Sequence, residues 1–185
     1  KFESSSKSNN DEFISAEDAV KVLNKKLGTT CKSKDFKLDH SYGDEKLKTA
    51  VFSKSDDNSY SSFSIDSNNN ILYYFEDTKF GNSADASKFE NTANEIIKKN
   101  GYNLPDFYSF NISKDTIRYY KKKNGIPCEP LYIDITFNKQ GKVISYENGL
   151  DLNYTFINAT PTIATEILTI LVITVWLIIL NLLLL

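Results

Sequence analysis

The chain has 185 residues, and 22 lysine and arginine residues against 24 aspartate and glutamate residues give it a net charge of -2 at pH 7. A near-neutral chain lacks the basic surface that nucleic-acid binding needs, so the lysine run at positions 121–123 indicates a solvated turn or strand end. Aromatic residues make up 13% of the chain and, with the β-branched residues, favour sheets.

The N-terminal stretch KFESSSKSNNDE, residues 1–12, is polar and rich in serine and asparagine. It has no apolar periodicity, which predicts a flexible tether. The chain begins at Lys1 and contains no methionine, so we expect that an N-terminal segment, most simply a signal peptide, has been removed.

The first predicted unit, residues 13–80, opens with a helix in the stretch ISAEDAVKVLNKKLG. Ser15 is the expected N-cap and Gly28 the expected stop. Helical spacing predicts one buried face, formed by Ala16, Ala19, Val20, Leu23 and Leu27. Strand-like runs follow at residues 36–42, 48–53, 60–65 and 71–75.

The second predicted unit, residues 81–150, repeats this order. Its helix lies in DASKFENTANEIIKKNG, with an apolar face formed by Phe89, Ala93, Ile96 and Ile97. Its strand-like runs are residues 107–112, 116–121, 131–137 and 143–146. The sequence therefore predicts an α+β fold of two tandem repeats, each with one helix packed on a short antiparallel sheet. If the two sheets are continuous, the repeats form one domain.

The stretch from Asn124 to Gly149 contains the clearest hairpin. Strand alternation places Leu131, Ile133, Ile135 and Phe137 on one face, towards the helix. Tyr132, Asp134 and Thr136 lie on the other face, which is either solvated or in contact with a partner.

The C-terminal region is predicted to form a linker, residues 151–162, and a transmembrane helix, residues 163–185. As a helix the apolar tail would be roughly 35 Å long, enough to cross a ~30 Å hydrocarbon core. No lysine or arginine follows it, so the sequence gives no orientation. A truncated or mis-framed gene is an alternative explanation of the leucine run.

Residues with catalytic or metal-binding chemistry do not form a recognisable motif in the sequence. Asp39 and His40 are neighbours on a strand and point to opposite faces, which disfavours a triad. The asparagine-rich turn that begins at Asp66 resembles a calcium loop but lacks its glycine, so an ordinary turn is favoured. We therefore expect no enzyme activity, no metal and no cofactor.

The two cysteines, Cys31 and Cys128, leave two interpretations open. In an exported protein they form one disulfide, or they are two unpaired small apolar residues. The sequence cannot place their Cβ atoms within bonding distance.

Partner binding is the remaining role for the aromatic residues. Tyr119, Tyr120 and Tyr132, with Asp134, are the candidate contacts to a peptide or glycan. The alternative is that these rings fill the core and form cross-strand pairs. A free edge strand would offer a further route, by accepting an extended peptide.

Several short motifs resemble the PepSY superfamily, and most of all the YcdB/YcdC-type repeats of bacterial extracytoplasmic proteins. They are the opening ISAEDAV, the segment Arg118-Tyr119-Tyr120, the sequence Asn124-Gly125-Ile126-Pro127, and the stretch GKVISY at 141–146. The propeptides of thermolysin-type proteases carry a similar strand–GIPV–strand–DGKV pattern. The first unit lacks the NGIP element, and Cys128 stands where a valine-like residue is typical.

The resemblance implies a non-catalytic module outside the cytoplasm. With the transmembrane helix predicted from the apolar tail, we expect a module anchored at the bacterial cell surface. Relatives of this fold are associated with inhibiting, chaperoning or regulating peptidases and cell-wall hydrolases. We therefore expect binding or regulation of a protein partner, such as a peptidase or cell-wall hydrolase. The alternative is a structural or adhesive surface module that binds wall polymer.

Overall fold

The computed structural model describes residues 13–44, 46–56, 59–77 and 84–150. The predicted tether, linker and transmembrane segment, residues 1–12, 151–162 and 163–185, lie outside these ranges. No helix within the described ranges has both the length and the apolar composition to cross a membrane.

The described elements are two helices and eight strands, with short 3-10 turns at Ser33–Asp35, Ala86–Phe89 and Leu104–Asp106. The first half contains α1 (Ala16–Leu27), β1 (Lys37–Gly43), β2 (Lys48–Asp56), β3 (Ser59–Asp66) and β4 (Ile71–Glu76). The second half contains α2 (Glu90–Lys99), β5 (Phe107–Asn111), β6 (Thr116–Lys123), β7 (Ile126–Phe137) and β8 (Val143–Asn148). The predicted α+β class is confirmed.

All eight strands form one antiparallel sheet in the order β1-β2-β3-β4-β8-β7-β6-β5. The two halves join where β4 pairs with β8, through Tyr74 opposite Tyr146. Next to this seam, Lys142 Nζ lies 2.7 Å from a carboxylate oxygen of Glu76. Each half supplies a helix and four strands in the same order, but they share one sheet, so the interpretation as two repeats stays a prediction.

Local sequence explains where α1 begins and ends. The Ser15 side chain accepts a hydrogen bond from the Asp18 amide at 3.1 Å, which satisfies an otherwise unpaired N–H at the helix start. Gly28 adopts the left-handed conformation, with φ of 70°, and ends the helix as predicted. Ala19, Val20 and Leu23 are among the buried residues of its predicted face.

The core lies between the helices and one face of the sheet. It combines α1 and α2 residues with alternate strand residues, including Phe52, Phe63, Tyr74, Ile133 and Ile135. Phe63 is fully buried, and its ring centroid lies 5.2 Å from those of both Phe36 and Phe52. The opposite face of the sheet, here called the open face, bears the residues that alternate with these.

β7 is longer than the run predicted at residues 131–137 and forms a hairpin with β6. Asn124 and Gly125 make the turn with φ of 52° and 81°, as a two-residue hairpin requires. β7 begins at Ile126 rather than near Leu131, although Pro127 and Pro130 disfavour a strand. β8 pairs with β7 only from Ile133 onwards, so the first part of β7 pairs with β6 alone among the described strands. Such edge positions tolerate proline.

Candidate interaction surface

Seven side chains from the second half meet on the open face and form the group called here the open-face cluster. It consists of Tyr108, Phe110, Arg118, Tyr120, Tyr132, Asp134 and Glu147. Cross-strand register brings them together, because Tyr120 lies opposite both Tyr108 and Tyr132, and Asp134 lies opposite both Arg118 and Glu147.

Arg118 is the centre of this cluster. Its Nε and Nη2 atoms donate to the two carboxylate oxygens of Asp134 at 2.7 and 2.6 Å, a bidentate pair. The pair is half-buried, with side-chain exposures of 24% for Arg118 and 14% for Asp134. These hydrogen bonds raise the pKa of Arg118 further above its ordinary value, so the guanidinium is a permanent charge.

The same guanidinium lies against two aromatic rings. Its carbon is 4.3 Å from the Tyr132 ring centroid and 5.7 Å from the Tyr120 ring centroid. Both distances are within the range of cation–π attraction. The ion pair and the rings therefore hold Arg118 in one orientation on the open face.

Tyr132 is fixed at both ends of its side chain. Its hydroxyl donates to Glu147 Oε1 at 2.7 Å, and this bond raises the pKa of Tyr132 to about 12. The ring lies beside Gly149, where an added Cβ would come within 3.2 Å of it. A side chain at position 149 would therefore press on the ring.

Tyr108 and Phe110 extend the cluster to the edge strand β5. The Phe110 ring centroid is 5.9 Å from that of Tyr108 and 5.5 Å from that of Tyr120. Tyr108 is 53% exposed and Phe110 36% exposed, which is high for rings in mutual contact. Tyr and Arg are also the residue types enriched at the centres of protein interfaces.

The structure separates the four predicted partner contacts. Tyr120, Tyr132 and Asp134 lie together on the open face, whereas Tyr119 lies on the helix-covered face and is 1% exposed. The Tyr119 hydroxyl donates to Asn94 Oδ1 of α2 at 2.8 Å. Burial raises the pKa of Tyr119. Tyr119 is therefore a core residue and not part of this surface.

Sequence reasoning missed four members of the cluster as candidate contacts: Tyr108, Phe110, Arg118 and Glu147. Alternation within a strand places Arg118 and Tyr120 on one face. The sequence does not reveal which strands are neighbours. It therefore could not show that residues of β5 and β8 lie beside Arg118 and Tyr120.

The two cysteines are free thiols and are not joined by a disulfide. Cys31 Sγ lies 3.9 Å from the Tyr74 hydroxyl, whereas Cys128 Sγ lies 3.7 Å from the backbone oxygen of Ile126. The structure therefore does not support the disulfide alternative.

The other residues with catalytic or metal-binding chemistry have structural partners. Asp39 Oδ1 accepts from the Ser53 hydroxyl at 2.9 Å, and the His40 ring stacks with Tyr42 at 6.0 Å. The Asp66 carboxylate accepts from the amides of Asn68 and Asn70 and organises the turn. Among the described residues, no group of three or more His, Cys, Asp or Glu side chains could hold a metal.

No protein-family model and no curated protein sequence matches this chain. One solved structure, the Bacillus megaterium YpeB C-terminal domain, is similar in fold, with a TM-score of 0.57. The similarity covers 83% of this chain and 72% of that one at 15% sequence identity. The likeness concerns the fold alone, and it agrees with the α+β class. The resemblance to the PepSY superfamily stays a prediction.

Proposed function

We propose that this chain is a non-catalytic, PepSY-like module that binds a protein partner through the open-face cluster. The observation that carries the proposal is the cluster itself: two exposed and two half-buried rings beside a charged pair, on a sheet whose other face is covered by helices. A solvated sheet face needs no such collection of aromatic groups, because polar residues alone satisfy it.

The pre-set geometry of the cluster supports a protein as the ligand. Arg118 is held between Tyr120, Tyr132 and Asp134, so little side-chain freedom is lost when a partner docks. A surface of this kind combines apolar contact area with fixed donors and acceptors. We therefore infer that Arg118 and Tyr120 contribute the largest share of the binding energy.

The cellular setting is part of the same proposal. We infer two tandem PepSY-like repeats displayed outside the cytoplasm and anchored by residues 163–185. The partner class that follows from the resemblance is a peptidase or cell-wall hydrolase, whose activity the module restrains or directs.

The experiment measures binding and residual activity together. The chain is titrated into purified extracellular peptidases and cell-wall hydrolases of its host, and each enzyme's activity is followed. We expect saturable, stoichiometric binding to one of them, weakened at least about tenfold by Tyr120→Ala or Arg118→Ala.

Tyr60→Ala is the matched control, because Tyr60 is a 42% exposed tyrosine in the other half of the sheet. It should leave binding unchanged. The proposal is wrong if the folded chain binds none of these enzymes. It is also wrong if Tyr120→Ala and Arg118→Ala both bind as tightly as the wild type.

A surface module that binds wall polymer is the second candidate. The row of rings from Tyr108 through Phe110 to Tyr120 favours it, since successive rings are a common platform for sugars. Sedimentation with purified wall material separates the two functions. A wall-binding module co-sediments and loses this with Tyr108→Ala, whereas a protein-binding module stays in the supernatant.

A further inference from the structure

Among the described strands, β1 and β5 form the two edges of the sheet, and they differ in how well they resist strand pairing. β1 has a register shift between Leu38 and His40, and it carries charges at Lys37 and Asp39. Bulges and charged side chains are devices that protect an exposed edge. β5 has the uncharged sequence FYSFN and pairs with β6 without a register shift. Of the two edges, β5 is therefore the one suited to accept another strand.

The backbone of β5 offers hydrogen-bonding groups at this edge. The Ile112 amide donates to the Thr116 carbonyl at 3.2 Å, in the same register as the β5–β6 ladder. In an antiparallel pair the backbone groups alternate between facing the neighbour and facing away. The N–H and C=O groups of Ser109 and Asn111 therefore point outwards from the sheet.

A notch lies beside this edge on the helix-covered side. It has a volume of about 230 Å³ and is lined by Ser87, Glu90, Ser109, Phe110, Asn111 and Ile117. It exists because Ser109, a small residue, occupies a position that faces the helices. Glu90 is the one acidic residue among those that line it.

We propose that an extended segment of a protein partner adds to β5 as a ninth strand. Its side chains alternate between the open face, against Tyr108 and Phe110, and the notch, where a lysine or arginine meets Glu90. This inference rests on the proposed function and specifies how the partner is held. A second copy of this chain fits less well, because its own β5, with the sequence FYSFN, has no lysine or arginine to meet Glu90.

The experiment uses the full 185-residue chain, in mild detergent, and a synthetic nonapeptide of tyrosine, isoleucine and threonine with a central lysine. Binding is measured by calorimetry, and strand addition by hydrogen exchange at the amides of Ser109 and Asn111. We expect these two amides to be protected at saturation while the amides of β1 exchange as before. The same peptide with its central five amides N-methylated keeps its side chains, and should bind at least about tenfold more weakly.

Two variants of the chain test the edge and the notch separately. Ser109→Pro removes an outward N–H at a position where edge strands tolerate proline, and should weaken binding about tenfold. Glu90→Lys should reject the lysine peptide and accept the same peptide with glutamate at its centre. Glu90→Gln should weaken binding of the lysine peptide by about two- to fivefold, the size of an exposed ion pair.

The outcomes distinguish this inference from the proposed function. Suppose that binding of the partner enzyme needs Arg118 and Tyr120, but that neither Ser109→Pro nor N-methylation of the peptide weakens binding. The ninth strand is then wrong, and the proposed function stands. If no enzyme binds but the peptide pairs with β5, the choice of partner class is wrong and the strand acceptor stands. If β5 becomes protected without peptide as protein concentration rises, with a dimeric mass, the edge binds a second copy and the inference is overturned.

Discussion

The two faces of the sheet use the same strands but depend on different interactions. The helix-covered face is a continuous apolar core in which Phe63, Ile133 and Ile135 are fully buried. Neither of the two described helices covers the open face, and its second half is held by an ion pair, ring contacts and tyrosine hydrogen bonds. The covered face therefore supplies most of the stability, and the open face carries the side chains through which we propose that a partner binds.

The largest expected effect comes from opening the covered face. Phe63→Ala should lower the free energy of unfolding by about 3–5 kcal/mol, because it removes a ring packed between Phe36 and Phe52. Tyr60→Ala, on the same strand but 42% exposed, should cost less than about 1 kcal/mol. Urea unfolding measures both free energies. Equal decreases would contradict the conclusion that the covered face supplies most of the stability.

Removing the charge at the centre of the open face should have the next largest effect. Arg118→Ala leaves the half-buried Asp134 carboxylate without its cation, and should cost about 1–3 kcal/mol. The matched control is Lys98→Ala, which breaks a pair whose side chains are 55% and 58% exposed and should cost about 0–1 kcal/mol. If both changes lower the free energy of unfolding by the same amount in chemical denaturation, the Arg118–Asp134 pair contributes no more than an exposed ion pair.

Adjacent tyrosines give the sharpest test of the comparison, because Tyr119 and Tyr120 lie on opposite faces. Tyr119→Phe removes the bond to Asn94, and should cost about 0.5–1.5 kcal/mol. Tyr120→Phe removes only a hydroxyl 3.5 Å from Arg118, and should cost less than about 0.5 kcal/mol. The reverse order in thermal or urea unfolding would mean that the two faces are wrongly assigned.

The smallest expected effect is a dependence on alkaline pH. The bond to Glu147 raises the pKa of Tyr132 to about 12, so the neutral phenol stabilises the folded state. This contribution is complete below about pH 10, the value for an unfolded tyrosine, and is lost as the pH rises through about 12. The difference between tyrosinate absorbance curves of the wild type and Tyr132→Phe reports this titration.

Glu147→Gln provides the control for that titration. It removes the charge of the acceptor, so we expect the pKa of Tyr132 to fall towards its ordinary value. If the Tyr132 titration is the same in this variant as in the wild type, the bond to Glu147 is not the cause.

The candidate surface was predictable only in part. Alternation in β7 correctly separated Ile133 and Ile135 from Tyr132 and Asp134, because each strand residue points away from its neighbours. The same rule separates Tyr119 from Tyr120 but does not say which one is covered. That depends on where α2 packs, since Asn94 of α2 accepts the hydrogen bond from the Tyr119 hydroxyl.

The sequence by itself determined the local elements: α1 between Ser15 and Gly28, the hairpin of β7 and β8, and the alternating strands. These follow from capping, turn geometry and the two-residue period, which involve residues close in the chain. Only the tertiary structure decided the order of the strands, the position of β5 at the edge of the described sheet and the contacts of Arg118 with Asp134 and Tyr132. Those depend on pairing between distant segments, and the alternation pattern of a strand does not encode which neighbour it will have.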